Sequence, residues 1–113
     1  MRILIVEDEY LIARDAADTL EDAGFEIVDI AGSVAMALKS IAGNTIDVAI
    51  LDANLAGESA EPVAIALKQL GIPFLVVTGY GKDQWQGAYA DAPYLSKPFV
   101  ASALATAIQE IRK

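Results

Sequence analysis

Short apolar runs alternate along this chain with segments in which apolar residues recur every three or four positions. The runs "RILIV", "FEIVDIA", "IDVAIL", "IPFLVVT" and "PYLS" predict five short strands. The intervening segments predict amphipathic helices, and a last helix follows Pro98. The first helix is predicted to be amphipathic and to end at Gly24, with an apolar side formed by Leu11, Ile12, Ala16, Leu20 and Ala23.

This alternation predicts an α/β fold in which a doubly wound parallel sheet is covered by helices on both faces. Strands that are apolar on both sides are typical of parallel sheets buried between two helical layers. Residues 79–93 fit the pattern poorly, because they contain three glycines and a proline with weak apolar spacing. We therefore expect the fourth helix to be short, frayed or replaced by a loop.

Polar side chains stand where the predicted strands end. Glu7 and Asp8 follow the first strand, Asp52 ends the third, Thr78 ends the fourth, and Lys97 follows the fifth. Because all strands of a parallel sheet point the same way, these residues should meet at one edge of the sheet, where ligands bind in such folds. Each signal is weak alone, but their joint placement at four strand ends predicts a functional site.

The residue types at this edge suit phosphoryl transfer. Three neighbouring carboxylates repel one another unless a cation lies between them, and carboxylate oxygens, a backbone carbonyl and waters are Mg²⁺ ligands. Lys97 would add a fixed positive charge and Thr78 a hydroxyl donor for phosphoryl oxygens. The product would be an aspartyl phosphate on Asp52.

Composition limits the other possibilities. The 113 residues suffice for one domain, taken as residues 1–113, and the net charge of −8 argues against nucleic acid or an anionic membrane as partner. The absence of Cys and His excludes disulfides, thiolate nucleophiles and ordinary zinc sites. No apolar run is long enough to span a membrane and the N-terminus does not resemble a signal peptide, so we expect a cytoplasmic protein.

The motifs "ILIVEDE", "AILDANLAG", "LVVTG" and "YLSKPF", in this order, resemble a receiver domain of two-component response regulators over essentially the whole chain. The resemblance implies a flavodoxin-like five-stranded sheet of order 2-1-3-4-5. It also implies a sensor histidine kinase or phosphotransfer protein as phosphodonor, a downstream protein target, and no turnover enzyme activity. Thr78, Gly79 and Tyr80 further resemble a receiver subgroup with an altered fourth helix.

The same resemblance assigns roles to individual positions. It implies that Asp52 accepts the phosphoryl group, and that Glu7, Asp8, Asp52 and the backbone carbonyl of Asn54 bind Mg²⁺. Thr78 and Lys97 would contact the phosphoryl oxygens. Tyr94, three residues before the lysine, would rotate with Thr78 and report phosphorylation to the surface of the fourth helix, fifth strand and fifth helix.

Three other functions are alternatives to a phosphate-accepting receiver. A haloacid-dehalogenase-type phosphatase needs a second Asp two residues after its nucleophile, where this chain has Asn54. A flavodoxin-like electron carrier needs a phosphate-binding loop after the first strand, where "EDEY" would repel phosphate. A receiver-shaped module that takes no phosphate would be distinguished by metal binding and phosphorylation. The sequence does not decide whether a receiver of this kind is a target-binding switch, a relay shuttle or a phosphate sink. It also leaves open whether the chain is a stand-alone receiver or a fragment of a longer protein.

Overall fold

The computed structural model describes residues 1–55, 57–78, 92–96 and 101–112. Strands and helices alternate through most of this part of the chain. In chain order the elements are β1 (Arg2–Val6), α1 (Tyr10–Asp22), β2 (Glu26–Ala31), α2 (Val34–Gly43), β3 (Val48–Asp52), β4 (Asn54–Leu55), β5 (Glu58–Ser59), α3 (Glu61–Gln69), β6 (Phe74–Thr78), β7 (Tyr94–Ser96) and α4 (Ala101–Arg112).

The main sheet has five parallel strands in the order β2-β1-β3-β6-β7. Counted along the chain within this sheet, the order is 2-1-3-4-5, so the predicted fold class and strand order are confirmed. The change in winding direction between β1 and β3 creates a crevice at the carboxyl ends of these two strands.

Helices pack on both faces of the sheet, and β3 shows why its sequence is continuously apolar. Ala49 and Leu51 belong to the core under α2 and α3, whereas Val48 and Ile50 belong to the core under α1 and α4. Successive side chains of a strand point to opposite faces, so a strand between two helical layers needs apolar residues at every position.

Local sequence signals fix where two helices begin or end. Ser33 caps α2, since its hydroxyl accepts a hydrogen bond from the backbone N–H of Met36 at 3.2 Å. At the end of α1, the N–H of Gly24 donates to the carbonyl of Glu21 and that of Phe25 to Leu20. This pair of bonds needs the positive φ of 97° that Gly24 adopts.

The structure differs from the sequence prediction at the first helix and after β3. Leu11 is 82% exposed and Ala23, which follows α1, is also exposed, so their placement on the apolar side of the first helix was wrong. The buried side contains Ala13, and a residue two positions away lies about 200° around a helix from it. The antiparallel pair β4–β5 was not predicted.

The predicted alteration of the fourth helix concerns residues 79–93, of which residues 79–91 lie outside the described residues. Across the ranges that are described, no helix has the length and apolar character needed to cross a membrane.

Candidate functional site

Three carboxylates meet at the carboxyl end of the sheet. Glu7, Asp8 and Asp52, here called the acidic cluster, each place one carboxylate oxygen within 4.8 Å of the others. Glu7 is only 5% exposed and Asp52 only 6% exposed, while Asp8 is half-buried. Buried carboxylates are costly unless they are paired or bind a cation, so the cluster is a strong candidate for the functional site.

Strand register brings the acidic cluster together. Val6 at the end of β1 lies opposite Leu51 on the neighbouring strand β3. The next residues along these parallel strands are Glu7 and Asp52, which therefore emerge side by side. Asp52 also lies opposite Val77 of β6, so a strand flanks it on each side.

Backbone hydrogen bonds hold Glu7 in place. Its N–H donates to the carbonyl of Ala31 at 3.0 Å, which continues the pairing with β2 by one residue. Its carboxylate oxygen Oε2 accepts a hydrogen bond from the N–H of Glu9 at 3.1 Å. Glu9 precedes α1, so the start of the helix helps to orient the Glu7 carboxylate. The sequence does not predict this hydrogen bond, because every residue except proline has a backbone N–H and the residue type therefore does not show which N–H donates.

The segment after Asp52 is also fixed by the backbone. Ala53 donates to the carbonyl of Val77 at 3.2 Å, and its own carbonyl accepts from Ala60 at 3.3 Å. Between these two residues, β4 and β5 form a small hairpin in which Asn54 lies opposite Ser59. Asn54 thus begins β4 two residues past Asp52, and the role of its carbonyl as a metal ligand stays a prediction.

The acidic cluster fits a hard divalent cation. Its potential ligands are all carboxylate oxygens, the type that Mg²⁺ prefers over nitrogen or sulfur. If all three groups are ionised, each pair at such separations repels by about 3 kcal/mol at an effective dielectric constant of about 20. A divalent cation between them would turn this repulsion into attraction. The residues present therefore match the cofactor that the sequence predicted.

The remaining predicted site residues are placed only in part. Thr78 ends β6, one position beyond Val77, and lies opposite Ser96, the last residue of β7. Its side chain and all of Lys97 fall outside the described residues. Tyr94 begins β7 and is 41% exposed. The roles of Thr78, Lys97 and Tyr94 stay predictions.

Comparison with known proteins points to one family. The sequence model of the response regulator receiver domain matches residues 3–109. The solution structure of SdrG from Sphingomonas melonis is 42% identical with a TM-score of 0.85, covering 98% of this chain and 95% of that one. The crystal structure of the response regulator TrrA from Thermotoga maritima, in complex with Mg²⁺-BeF, is 28% identical with a TM-score of 0.84, covering 97% of each chain.

The chain is also similar to curated proteins that are longer than it is. The transcriptional regulatory protein CutR of Streptomyces coelicolor is 34% identical over 98% of this chain but only 53% of its own length. PdtaR of Mycobacterium tuberculosis, another transcriptional regulatory protein, is 34% identical over 96% of this chain and 55% of its own. The chain spans about half the length of the curated relatives it matches.

Proposed function

Because the chain belongs to the response regulator receiver domain family of two-component systems, we propose that Asp52 is its phosphoacceptor. In this proposal a sensor histidine kinase or phosphotransfer protein donates the phosphoryl group from a phosphohistidine. The observation that carries the proposal is the convergence of three carboxylates, two of them nearly buried, at adjacent strand ends.

The chemical step needs little more than positioning. A carboxylate oxygen of Asp52 attacks the phosphorus of the phosphohistidine; the new O–P bond forms as the P–N bond breaks. The imidazole leaves with the bonding electron pair and takes a proton from solvent. The main chain at Asp52 is held in place, because Ala53, the next residue, forms backbone hydrogen bonds with Val77 and Ala60.

Glu7, Asp8 and Asp52, with the backbone carbonyl of Asn54, would hold Mg²⁺. When bound, the ion would neutralise negative charge on the oxygens of the transferred phosphoryl group. Glu7 is kept oriented by the N–H of Glu9, so its carboxylate need not reorganise when the cation arrives.

Lys97 and Thr78 are proposed to contact the phosphoryl oxygens after transfer, with Tyr94 responding to the move of Thr78. Strand pairing supports this assignment, since Thr78 ends β6 beside the strand that carries Asp52. The output would be a change in a protein-binding surface formed by residues 79–93, β7 and α4, recognised by a downstream protein target. We propose that the chain is a switch that assists its own phosphorylation and dephosphorylation, not a turnover enzyme.

Chemical phosphorylation followed by intact mass spectrometry tests the proposal without knowledge of the kinase. Phosphoramidate, a small donor with a P–N bond, should add one phosphoryl group to the wild-type protein when Mg²⁺ is present and none when it is chelated. Asp52→Asn should stay folded and take no phosphoryl group. The matched control is Asp15→Asn, an exposed acid of α1 outside the acidic cluster, which should be labelled like wild type.

Amide NMR then locates the response. Mg²⁺ and then beryllofluoride should shift the amides of residues 7–9 and 52–55 in the wild-type protein. A folded protein that binds neither, or an Asp52→Asn variant that is still phosphorylated, would contradict the assignment. Binding of neither would favour a receiver-shaped module that works without phosphate.

A further inference from the structure

A cleft of about 540 Å³ lies at the end of the sheet opposite the acidic cluster. It is lined where α3 ends, where the chain enters β6 and β7, and near the end of α4, by residues that include Gly71, Phe74, Ala92 and Ile111. Because the strands are parallel, the acidic cluster marks their carboxyl ends and this cleft their amino ends. No part of the proposed phosphorylation chemistry uses it.

One wall of the cleft is fixed by the way α3 ends. Gly71 donates its N–H to the carbonyl of Lys68 at 3.1 Å, and Ile72 donates to Leu67 at 2.9 Å. These two bonds form the Schellman motif, in which Gly71 takes a positive φ of 70°. The motif holds Lys68, Gly71 and Ile72, all of which line the cleft, in one arrangement.

The other boundaries are tied to the sheet. The carbonyl of Pro73 accepts a hydrogen bond from Ala49, and the carbonyl of Pro93 accepts one from Val76. Both prolines line the cleft, and their rings fix φ near −65°. A concavity with such restrained walls loses little entropy when it binds a ligand.

The lining combines apolar surface with one positive charge. Among the described residues, Lys68 is the only charged member of the eight that line the cleft. The described salt bridges use Arg2 and Arg14 as their cations, and none engages Lys68. Since the chain has 16 acidic residues against 8 basic ones, a concave surface whose described lining contains a cation and no acid differs in charge from the chain as a whole.

We propose that this cleft binds a small amphipathic anion, with its apolar body against Ile72, Phe74 and Ile111 and its anionic group at the Lys68 ammonium. The volume falls within the range of about 300–1,000 Å³ that is usual for small-molecule sites. Lys68 lines the cleft and is exposed, and a lysine stem covers apolar surface while its ammonium stays in water, which matches a ligand whose charged end stays at the rim. A carboxylate on a short aliphatic chain is the simplest ligand of this class.

Titration with octanoate, followed by amide NMR without Mg²⁺, tests the proposal. Octanoate should produce saturable shifts at Gly71, Ile72, Phe74 and Ala92. Because Lys68 is exposed, Lys68→Gln should fold normally and weaken binding about three- to tenfold, and Lys68→Glu should weaken it further. The matched control is Lys39→Gln, an exposed lysine of α2 away from the cleft, which should bind like wild type.

Neutral 1-octanol separates recognition of the charge from general apolar binding. 1-Octanol should bind the wild-type protein more weakly than octanoate does. Its affinity should be the same for the wild-type protein and the Lys68→Gln variant. The proposal is overturned if octanoate causes no saturable shifts at the cleft. It is also overturned if 1-octanol binds as tightly as octanoate, which would indicate an apolar side chain of a protein partner instead. Asp52→Asn should leave octanoate binding unchanged, so the result is independent of phosphorylation.

Discussion

Glu7 and Asp52 differ from the other buried polar residue of the described chain in what their surroundings provide. Ser40, the third such residue, donates its hydroxyl hydrogen to the Asp29 carboxylate and so satisfies a neutral group. Glu7 and Asp52 are instead acids placed beside Asp8, a third acid. Three neighbouring carboxylates repel one another, and the cation that we propose to bind among them would offset this repulsion.

Replacing Glu7 by Gln should reveal this repulsion. The side chain keeps its shape and an oxygen that can accept from the N–H of Glu9, but one negative charge is lost. Without Mg²⁺ we expect the free energy of unfolding to rise by about 1–3 kcal/mol, because like charges no longer face one another. Mg²⁺ affinity should fall about tenfold or more. Urea unfolding at several Mg²⁺ concentrations measures both quantities.

Glu9→Gln is the matched control for that experiment. Glu9 is an exposed acid two residues away, and only its backbone N–H takes part in the site. Its variant should bind Mg²⁺ nearly as wild type does and change stability little. If Glu7→Gln and Glu9→Gln lose the same Mg²⁺ affinity, the cation is attracted by the net negative charge of this region and not by direct coordination in the acidic cluster.

At the scale of elements, the end of α3 depends on the backbone conformation of Gly71. A side chain is strained at its φ of 70°, although no atom within 4 Å would obstruct a Cβ. Gly71→Ala should therefore lower the free energy of unfolding by about 1–2 kcal/mol, through backbone strain alone. Urea denaturation with circular dichroism measures the change.

Gly43 offers the control for this prediction, since it ends α2 with an ordinary φ and open space around it. Gly43→Ala should leave stability unchanged or raise it by up to about 1 kcal/mol, because Ala favours the helix. Destabilisation by similar amounts at both positions would indicate that the added methyl group, and not the left-handed conformation of Gly71, sets the effect.

The elements that the sequence predicted correctly are those with strong periodicity. The central strands β1, β3 and β6 read as apolar runs because both of their faces are buried. Ser33 marked the start of a helix by its hydroxyl, and Gly24 marked the end of one by its tolerance of a positive φ. The β4–β5 hairpin escaped prediction because two-residue strands have no period to detect. Leu11 was misplaced because apolar spacing alone does not say which side of a helix meets the sheet.

The acidic cluster was predictable for a topological reason. Parallel strands end at one edge, so Glu7 and Asp52 had to come close once the strands were assigned correctly. The support that Glu7 receives from the N–H of Glu9 could not be predicted, because it depends on the backbone path between β1 and α1. The sequence thus predicts which functional side chains lie at the strand ends, whereas the hydrogen bonds that orient those side chains are seen only in the three-dimensional structure.

At the scale of the whole molecule, the acidic cluster lies at the end of a sheet that has a hydrophobic core on each face. One core contains Leu67 of α3 and the other Leu20 of α1, and both are completely buried. The central strands β1 and β3 contribute side chains to both cores and carry the acids at their ends. The site is therefore positioned by the sheet, with a helical layer supporting it from each side.

This arrangement predicts how core stability and metal binding combine. Leu20→Ala and Leu67→Ala should each lower the free energy of unfolding by about 3 kcal/mol, because each leaves a cavity in a packed core. Mg²⁺ at about 100 times its dissociation constant should add about 2.7 kcal/mol to wild type. The increment should be the same in both variants, because backbone pairing of β1 and β3, and not side-chain packing, sets the carboxylate positions.

Urea unfolding of wild type and both variants, with and without Mg²⁺, measures these increments directly. Ile65→Ala serves as the control, since Ile65 is a largely exposed residue of α3 and its loss should cost far less than that of Leu67. A smaller Mg²⁺ increment in Leu20→Ala alone would mean that the helical layer containing α1, which begins directly after Glu9, helps to position the acidic cluster. A reduced increment in both variants would instead show that the sheet is not rigid enough to hold the cluster without both cores intact.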